Sequence, residues 1–200
     1  RQLASYSLGG KTYRYEYDVN GLRTRKSNAD GGYTEYYIID GLAVAERRYY
    51  SGGGWFTGLF GNRQLVTIAK SQLGNEGGEK FWSWWGFTER QEWCACFVSW
   101  CADQAGLIQN GAVPKFSLCT AGVDWFQAQG KWQGAGSVPS PGMIIFFDWD
   151  HDGASDHVGI VESCDGTTVH TIEGNSGDAV RQNSYTVNSQ SILGYGLVAY

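Results

Sequence analysis

Near Ser51-Gly52-Gly53-Gly54 the chain changes the period of its apolar pattern, and that change limits each half to a different kind of fold. Before the glycines, short stretches alternate with period two, as strands do. Tyr13-Arg14-Tyr15-Glu16-Tyr17 alternates strictly, and Asp18-Val19-Asn20-Gly21 follows as turn material. Leu22-Arg23-Thr24-Arg25-Lys26 and Tyr33-Thr34-Glu35-Tyr36-Tyr37-Ile38-Ile39 predict further strands, the last closed by Asp40-Gly41. This is β-hairpin sequence with too few apolar side chains to fold alone.

Beyond the glycines the spacing becomes helical. Leu65, Ile68, Ala69 and Leu73 recur as on one helix face, and Gly74 follows as a C-terminal cap. A second helix is predicted from Trp93 or Cys94 to Gln104 and a third from Val123 to Gln129, with glycines at 106 and 130. Strands follow at Met143–Phe147, His157–Glu162, Thr168–Glu173 and Gly194–Tyr200. Helices first and antiparallel strands afterwards is an α+β arrangement. The division expected is a β segment over 1–50, a Gly-rich linker over 51–62 and a catalytic-sized domain over 63–200.

Charge follows the same division. Residues 1–50 carry a net charge of +2 and residues 51–200 a net of −7. An acidic surface repels phosphate backbones, so nucleic acid is excluded as a partner. No apolar run approaches the roughly 20 residues of a membrane span. The chain starts at Arg1, without Met or a signal-like segment, and is expected to be part of a longer polypeptide.

Of the five cysteines (94, 96, 101, 119 and 164), Cys94 has the most suggestive position. On a helix it shares a face with Phe97, Val98 and Cys101, while Cys96 lies about 200° around the axis. A thiol in a first helical turn meets unpaired N–H groups and the positive end of the helix dipole, which favour the nucleophilic thiolate. Position alone leaves Cys94 equally readable as a buried structural thiol. The spacing C-x-C-x4-C does not suit zinc. In an oxidising compartment two disulfides and one free thiol fit the count, in no pairing the sequence selects.

A thiolate mechanism needs a base that returns the proton to a leaving amine. His151 lies in a polar, acidic loop. His170 and Glu173 differ by an odd number of positions in one predicted strand, so they face opposite sides. His157 opens the apolar strand His157-Val158-Gly159-Ile160-Val161, and Glu173 ends another, where an unpaired carboxylate is costly. Pairing the two resolves that cost and would orient the imidazole. Asn175, of the same parity as Glu173, can serve as orienter or oxyanion donor. Read singly, each is an ordinary structural His or turn residue.

Taken in order, Trp93-Cys94-Ala95-x-Phe97-Val98-x-Trp100, Pro141-Gly142 before an apolar strand, Asp156-His157-Val158-Gly159-Ile160-Val161 and Ile172-Glu173-Gly174-Asn175 resemble the CHAP family, papain-like amidohydrolases of peptidoglycan. The resemblance runs from about residue 64 to 200. It implies a papain-like fold of N-terminal helices packed on an antiparallel sheet, with Cys94 as nucleophile, His157 as base, and Glu173 with Asn175 as polar support. It implies either N-acetylmuramoyl-L-alanine amidase or crosslink endopeptidase activity. Two departures stand out: Met143 replaces the usual Asp after Pro-Gly, and Cys96 occupies an acidic position that some members use for calcium.

Earlier in the chain, Tyr15-Glu16-Tyr17-Asp18-Val19-Asn20-Gly21-Leu22-Arg23 resembles one YD repeat of the Rhs proteins. That resemblance implies the end of a large β-shell protein carrying a variable C-terminal effector. The expectation is a secreted or cell-surface cysteine hydrolase acting on bacterial peptidoglycan, with an immunity protein as partner if it is a toxin. The rivals are a cysteine protease-type toxin acting on proteins and an inactive wall-binding module. No cofactor is required. Asp148-x-Asp150-x-Asp152-Gly153 resembles the first half of a calcium loop, but position twelve is Gly159 and strands flank it, so a solvated hairpin loop is the preferred reading and calcium the alternative. Phe81, Trp82, Trp84 and Trp85 are expected to divide between core and a substrate groove.

Overall fold

The computed structural model describes residues 3–27, 29, 31–39, 42–50, 54–59 and 61–198, with side chains described over these except between 37 and 63. The chain divides into two compact units between Gln64 and Leu65.

The first unit is an antiparallel meander of six strands: β1 (Ser5–Leu8), β2 (Lys11–Tyr17), β3 (Arg23–Ser27), β4 (Tyr33–Ile39), β5 (Leu42–Tyr50) and β6 (Gly54–Leu59). The predicted turn at Asp18 forms because one carboxylate oxygen accepts the backbone N–H groups of Asn20 and Leu22, both at 2.9 Å, and Gly21 takes the left-handed conformation (φ 85°). Aromatic and basic side chains decorate the pleat. Tyr6 stacks on Tyr13 across β1 and β2 (4.9 Å between ring centroids), and the Arg25 guanidinium lies 3.8 Å from the Tyr33 ring centre. Within the expected linker over 51–62, Gly54–Leu59 forms a strand paired with β5. Ser51, Gly52 and Gly53, and the expected Asp40-Gly41 turn, lie outside the described residues.

The elements that follow are α1 (Gly61–Lys70), α2 (Glu79–Trp85), α3 (Cys94–Gln104), α4 (Cys119–Ala128), β7 (Trp132–Gly134), β8 (Ile144–Phe147), β9 (His157–Cys164), β10 (Thr168–Glu173), β11 (Arg181–Thr186) and β12 (Ile192–Gly196). The strands form one antiparallel sheet in the order β11-β10-β9-β8-β12-β7. Period two distributes β8 to both faces. Ile144 and Phe146 join Val158, Ile160 and Ile172 against the helices, while Ile145 and Phe147 join Val161, Val169 and Tyr195 on the other face. Helix α2 was hidden from pattern reading because its aromatic run has no clear period; Phe81 is core, while Trp82, Trp84 and Trp85 are half-buried. The last strand ends at Gly196, short of the predicted Tyr200, and residues 199 and 200 lie outside the described residues.

Helix α3 packs on α2, β9 and β10, and its residues Cys94 to Ser99 are all buried. Two glycines set how closely it approaches. A Cβ on Gly174 would lie 2.4 Å from the Phe97 Cβ, and one on Gly78 would lie 2.2 Å from the Trp93 indole. Fully burying a side chain such as Phe97 contributes about 1.5–3 kcal/mol. Among the described residues no helix is long and apolar enough to cross a membrane.

Candidate active site

Cys94 is the first residue of α3 and is 6% exposed. Trp93 provides the N-cap backbone and makes no side-chain capping bond. The loop before the helix is held instead through Asp178, which accepts from the Arg90 guanidinium (2.7 Å) and from the Trp93 indole N–H (3.3 Å).

His157 opens β9 and faces Glu173 at the end of β10, with Nε2 3.0 Å from Oε2. Glu173 is 1% exposed, a burial its carboxylate tolerates because four side chains bond it. Besides His157 these are the hydroxyl of Thr171, the amide of Asn183 (2.8 Å) and the phenol of Tyr185 (3.3 Å). Gly159 makes the space: a Cβ there would lie 2.6 Å from the Glu173 Cγ. With Nε2 committed to Glu173, Nδ1 is the ring nitrogen left to exchange a proton with Cys94.

A second thiol completes the arrangement. Cys119, at the start of α4, has its sulfur 3.6 Å from that of Cys94. The Cys94 thiol is held well below its ordinary range, first by this hydrogen bond, then by those from His157 and the Ala95 backbone N–H, against the opposing effect of burial. The Cys119 thiol is pushed up by the same hydrogen bond, by burial and by the charges of Cys94 and Asp156, so Cys119 stays protonated as the donor. Burial opposes a charge on His157, but its bonds to Cys94 and Glu173 outweigh that and raise it to about 9. These directions favour a thiolate beside a protonated imidazole, an arrangement suited to attack on a carbonyl carbon and protonation of a leaving group. The other helix thiols are opposite in character: burial raises Cys96 to about 11 and Cys101 well above its usual value. All five cysteines are free thiols.

Of the four residues singled out from sequence, Cys94, His157 and Glu173 come together. Asn175 does not join them through a hydrogen bond: its amide donates to Glu92, because the turn after β10 holds it at φ 59°. His170 turns to the opposite side, with Nδ1 2.8 Å from the Ser184 hydroxyl, as parity predicts. Met143, the departure after Pro-Gly, accepts the Ser140 N–H through its sulfur at 3.4 Å and so closes that turn itself. Sequence reading missed Cys119, Asn183 and Tyr185. The last two alternate in β11, but only its register against β10 brings them to Glu173.

Among the described residues one group of acidic side chains, Asp148, Asp150 and Asp156, is close enough together to hold a metal ion. Asp152, the third acid of the linear triplet, uses its carboxylate to accept the Ala154 N–H at 2.7 Å, as a local turn does.

The CHAP domain family model matches residues 82–175. That span contains Cys94, His157, Glu173 and Asn175. No curated protein matches the chain. Among solved structures, the crystal structure of Ly7917 is 18% identical, with 68% of this chain and 62% of that chain aligned and a TM-score of 0.45. The crystal structure of Ly7917 with the hydrolyzing product of MDP gives 19% identity, 67% and 61% coverage, and a TM-score of 0.45. The chain thus spans about three fifths of the length of both.

Proposed function

We propose that the second unit is a peptidoglycan hydrolase that cleaves an amide bond of the wall peptide by cysteine chemistry. The observation that carries this reading is the His157–Glu173 pair, 3.0 Å apart with Glu173 buried, set beside a thiol at the start of α3. The CHAP match over residues 82–175 supports the substrate class.

In this reading the Cys94 thiolate attacks the amide carbonyl, and N–H groups of the first turn of α3 receive the developing oxyanion. His157 gives its proton to the leaving amine, then takes one from water as that water hydrolyses the thioester. Glu173 keeps the imidazole oriented and stabilises its charged form. Cys119 holds the thiolate by donating a hydrogen bond. Asn175 supports the turn after β10 through Glu92. Trp149, 42% exposed and stacked on Phe147 within 6.2 Å of the His157 ring, offers a face to sugar or peptide. Residues 1–50 are the end of an Rhs-like shell in this reading, with the hydrolase as the C-terminal effector acting at the cell envelope.

Purified sacculi digested by the full chain decide the matter through their muropeptides. New amino groups on L-alanine identify an amidase, and new termini within the crossbridge an endopeptidase. Unchanged sacculi, together with cleavage of folded proteins, would overturn the reading in favour of a protease.

A further inference from the structure

The loop between β8 and β9 carries a feature that the cysteine chemistry does not use. Phe147 pairs with His157 across the hairpin, and the Asp156 N–H bonds the Phe147 carbonyl at 2.8 Å. The next two residues outward, Asp148 and Asp156, therefore fall opposite each other, and Asp150 folds back over them. One carboxylate oxygen from each of the three lies within 4.8 Å of the other two.

Three acids at a hairpin mouth are common, but Asp148 is unusual. It is 7% exposed; one of its oxygens accepts the Gly153 N–H at 3.0 Å, and Oδ1 is buried with no hydrogen-bond partner. A buried carboxylate oxygen left unpaired has given up its hydration without a replacement. Each of its neighbours is likewise anchored by one backbone amide. Asp156 accepts the Trp149 N–H at 2.6 Å, and Asp150 accepts that of Asp152 at 3.3 Å. Each acid thus keeps a second oxygen for another partner.

We propose that this loop binds one divalent cation of the calcium class through Asp148, Asp150 and Asp156. The donors are all hard oxygens, which suit calcium or magnesium rather than zinc. Calcium, with bonds of about 2.3–2.6 Å, bridges oxygens up to roughly 5 Å apart, whereas magnesium reaches only about 4.2 Å. The cation satisfies the Asp148 oxygen and draws the hairpin mouth together one residue before His157. It also offsets the charge that Asp156 exerts on Cys119. Its binding stands apart from the proposed hydrolase activity; its effect on turnover rests on that reading.

The test is made on the full chain after treatment with EDTA. Terbium serves as a luminescent probe sensitised by Trp149, which lies between two of the ligands in sequence, and titration with CaCl2 is followed by calorimetry. We expect saturable binding of one terbium ion, displaced by calcium, with a calcium dissociation constant on the order of 0.1–1 mM. Asp150→Asn, at an exposed position, should weaken binding about tenfold or more, and Asp148→Asn at least as much. Asp152→Asn should leave it within about twofold. Absence of saturable binding, or an Asp152→Asn loss equal to that of Asp150→Asn, would overturn the proposal. If calcium binds and sacculi stay intact, the proposed function fails and the cation site stands.

Discussion

The two units contain sheets of the same size, six antiparallel strands each, yet they hold themselves together differently. Among the described side chains of the first, no large apolar group is buried; its strands are joined by backbone bonds, stacked tyrosines and arginines lying over rings. In the second, helices cover one face and a smaller apolar cluster the other. Period two supplies strands in both cases. Only the sheet with covered faces can hold a polar side chain such as Glu173 out of water among hydrogen-bond partners, and the candidate active site lies there. A ladder makes a surface; a packed ladder makes an environment.

The sharpest way to break that contrast is at the nucleophile. Cys94→Ala should lower wall hydrolysis by about 10⁴-fold or more, with the melting transition almost unmoved. Clearance of sacculi at the parent rate would remove Cys94 from the mechanism. Next in size is the core itself. Phe97→Ala should destabilise the second unit by about 3–5 kcal/mol in denaturant unfolding. Its counterpart in the first unit, Tyr6→Ala, removes a cross-strand stack and should cost less than about 1 kcal/mol. Equal losses at the two positions would erase the distinction between the sheets.

Acid dependence sharpens it further. A thiol of depressed pKa is reactive above that value and loses reactivity as pH falls through it, whereas an ordinary thiol is already mostly protonated near pH 7. Iodoacetamide should therefore label Cys94 at pH 6 faster than Cys164, the one cysteine that is not buried, and His157→Ala should abolish that advantage. Peptide mapping by mass spectrometry reads both. The smallest effect is expected at the rim: Trp149→Ala should raise KM severalfold and leave kcat nearly unchanged, since its ring can touch substrate without touching the reacting atoms.

Much of this was readable before any coordinates. The start of α3 follows from the apolar face that Cys94 shares with Phe97, Val98 and Cys101, and β10 has the bounds its alternation predicted. Parity alone turned His170 away from Glu173. What escaped reading depends on register and on contacts distant in sequence. Cys119 is 25 positions from Cys94, in a helix predicted to begin only at Val123, and nothing local marks it as a thiolate donor. Arg181–Thr186 has no apolar alternation, so β11, with Asn183 and Tyr185, carried no strand signal. In the acidic loop, linear spacing favoured Asp152, but hairpin pairing sets Asp156 opposite Asp148. Local patterns reveal elements; pairing decides which of their side chains meet.

The missing side chain at Gly174 has a consequence for how this molecule can vary. Even a methyl group there would overlap Phe97 and approach the Trp93 ring to 2.8 Å, so any larger residue must push the helix bearing the thiol away from the strand bearing its carboxylate. Position 174 therefore works as a gauge of that separation. A library randomised at position 174 and selected for thiol reactivity should return glycine.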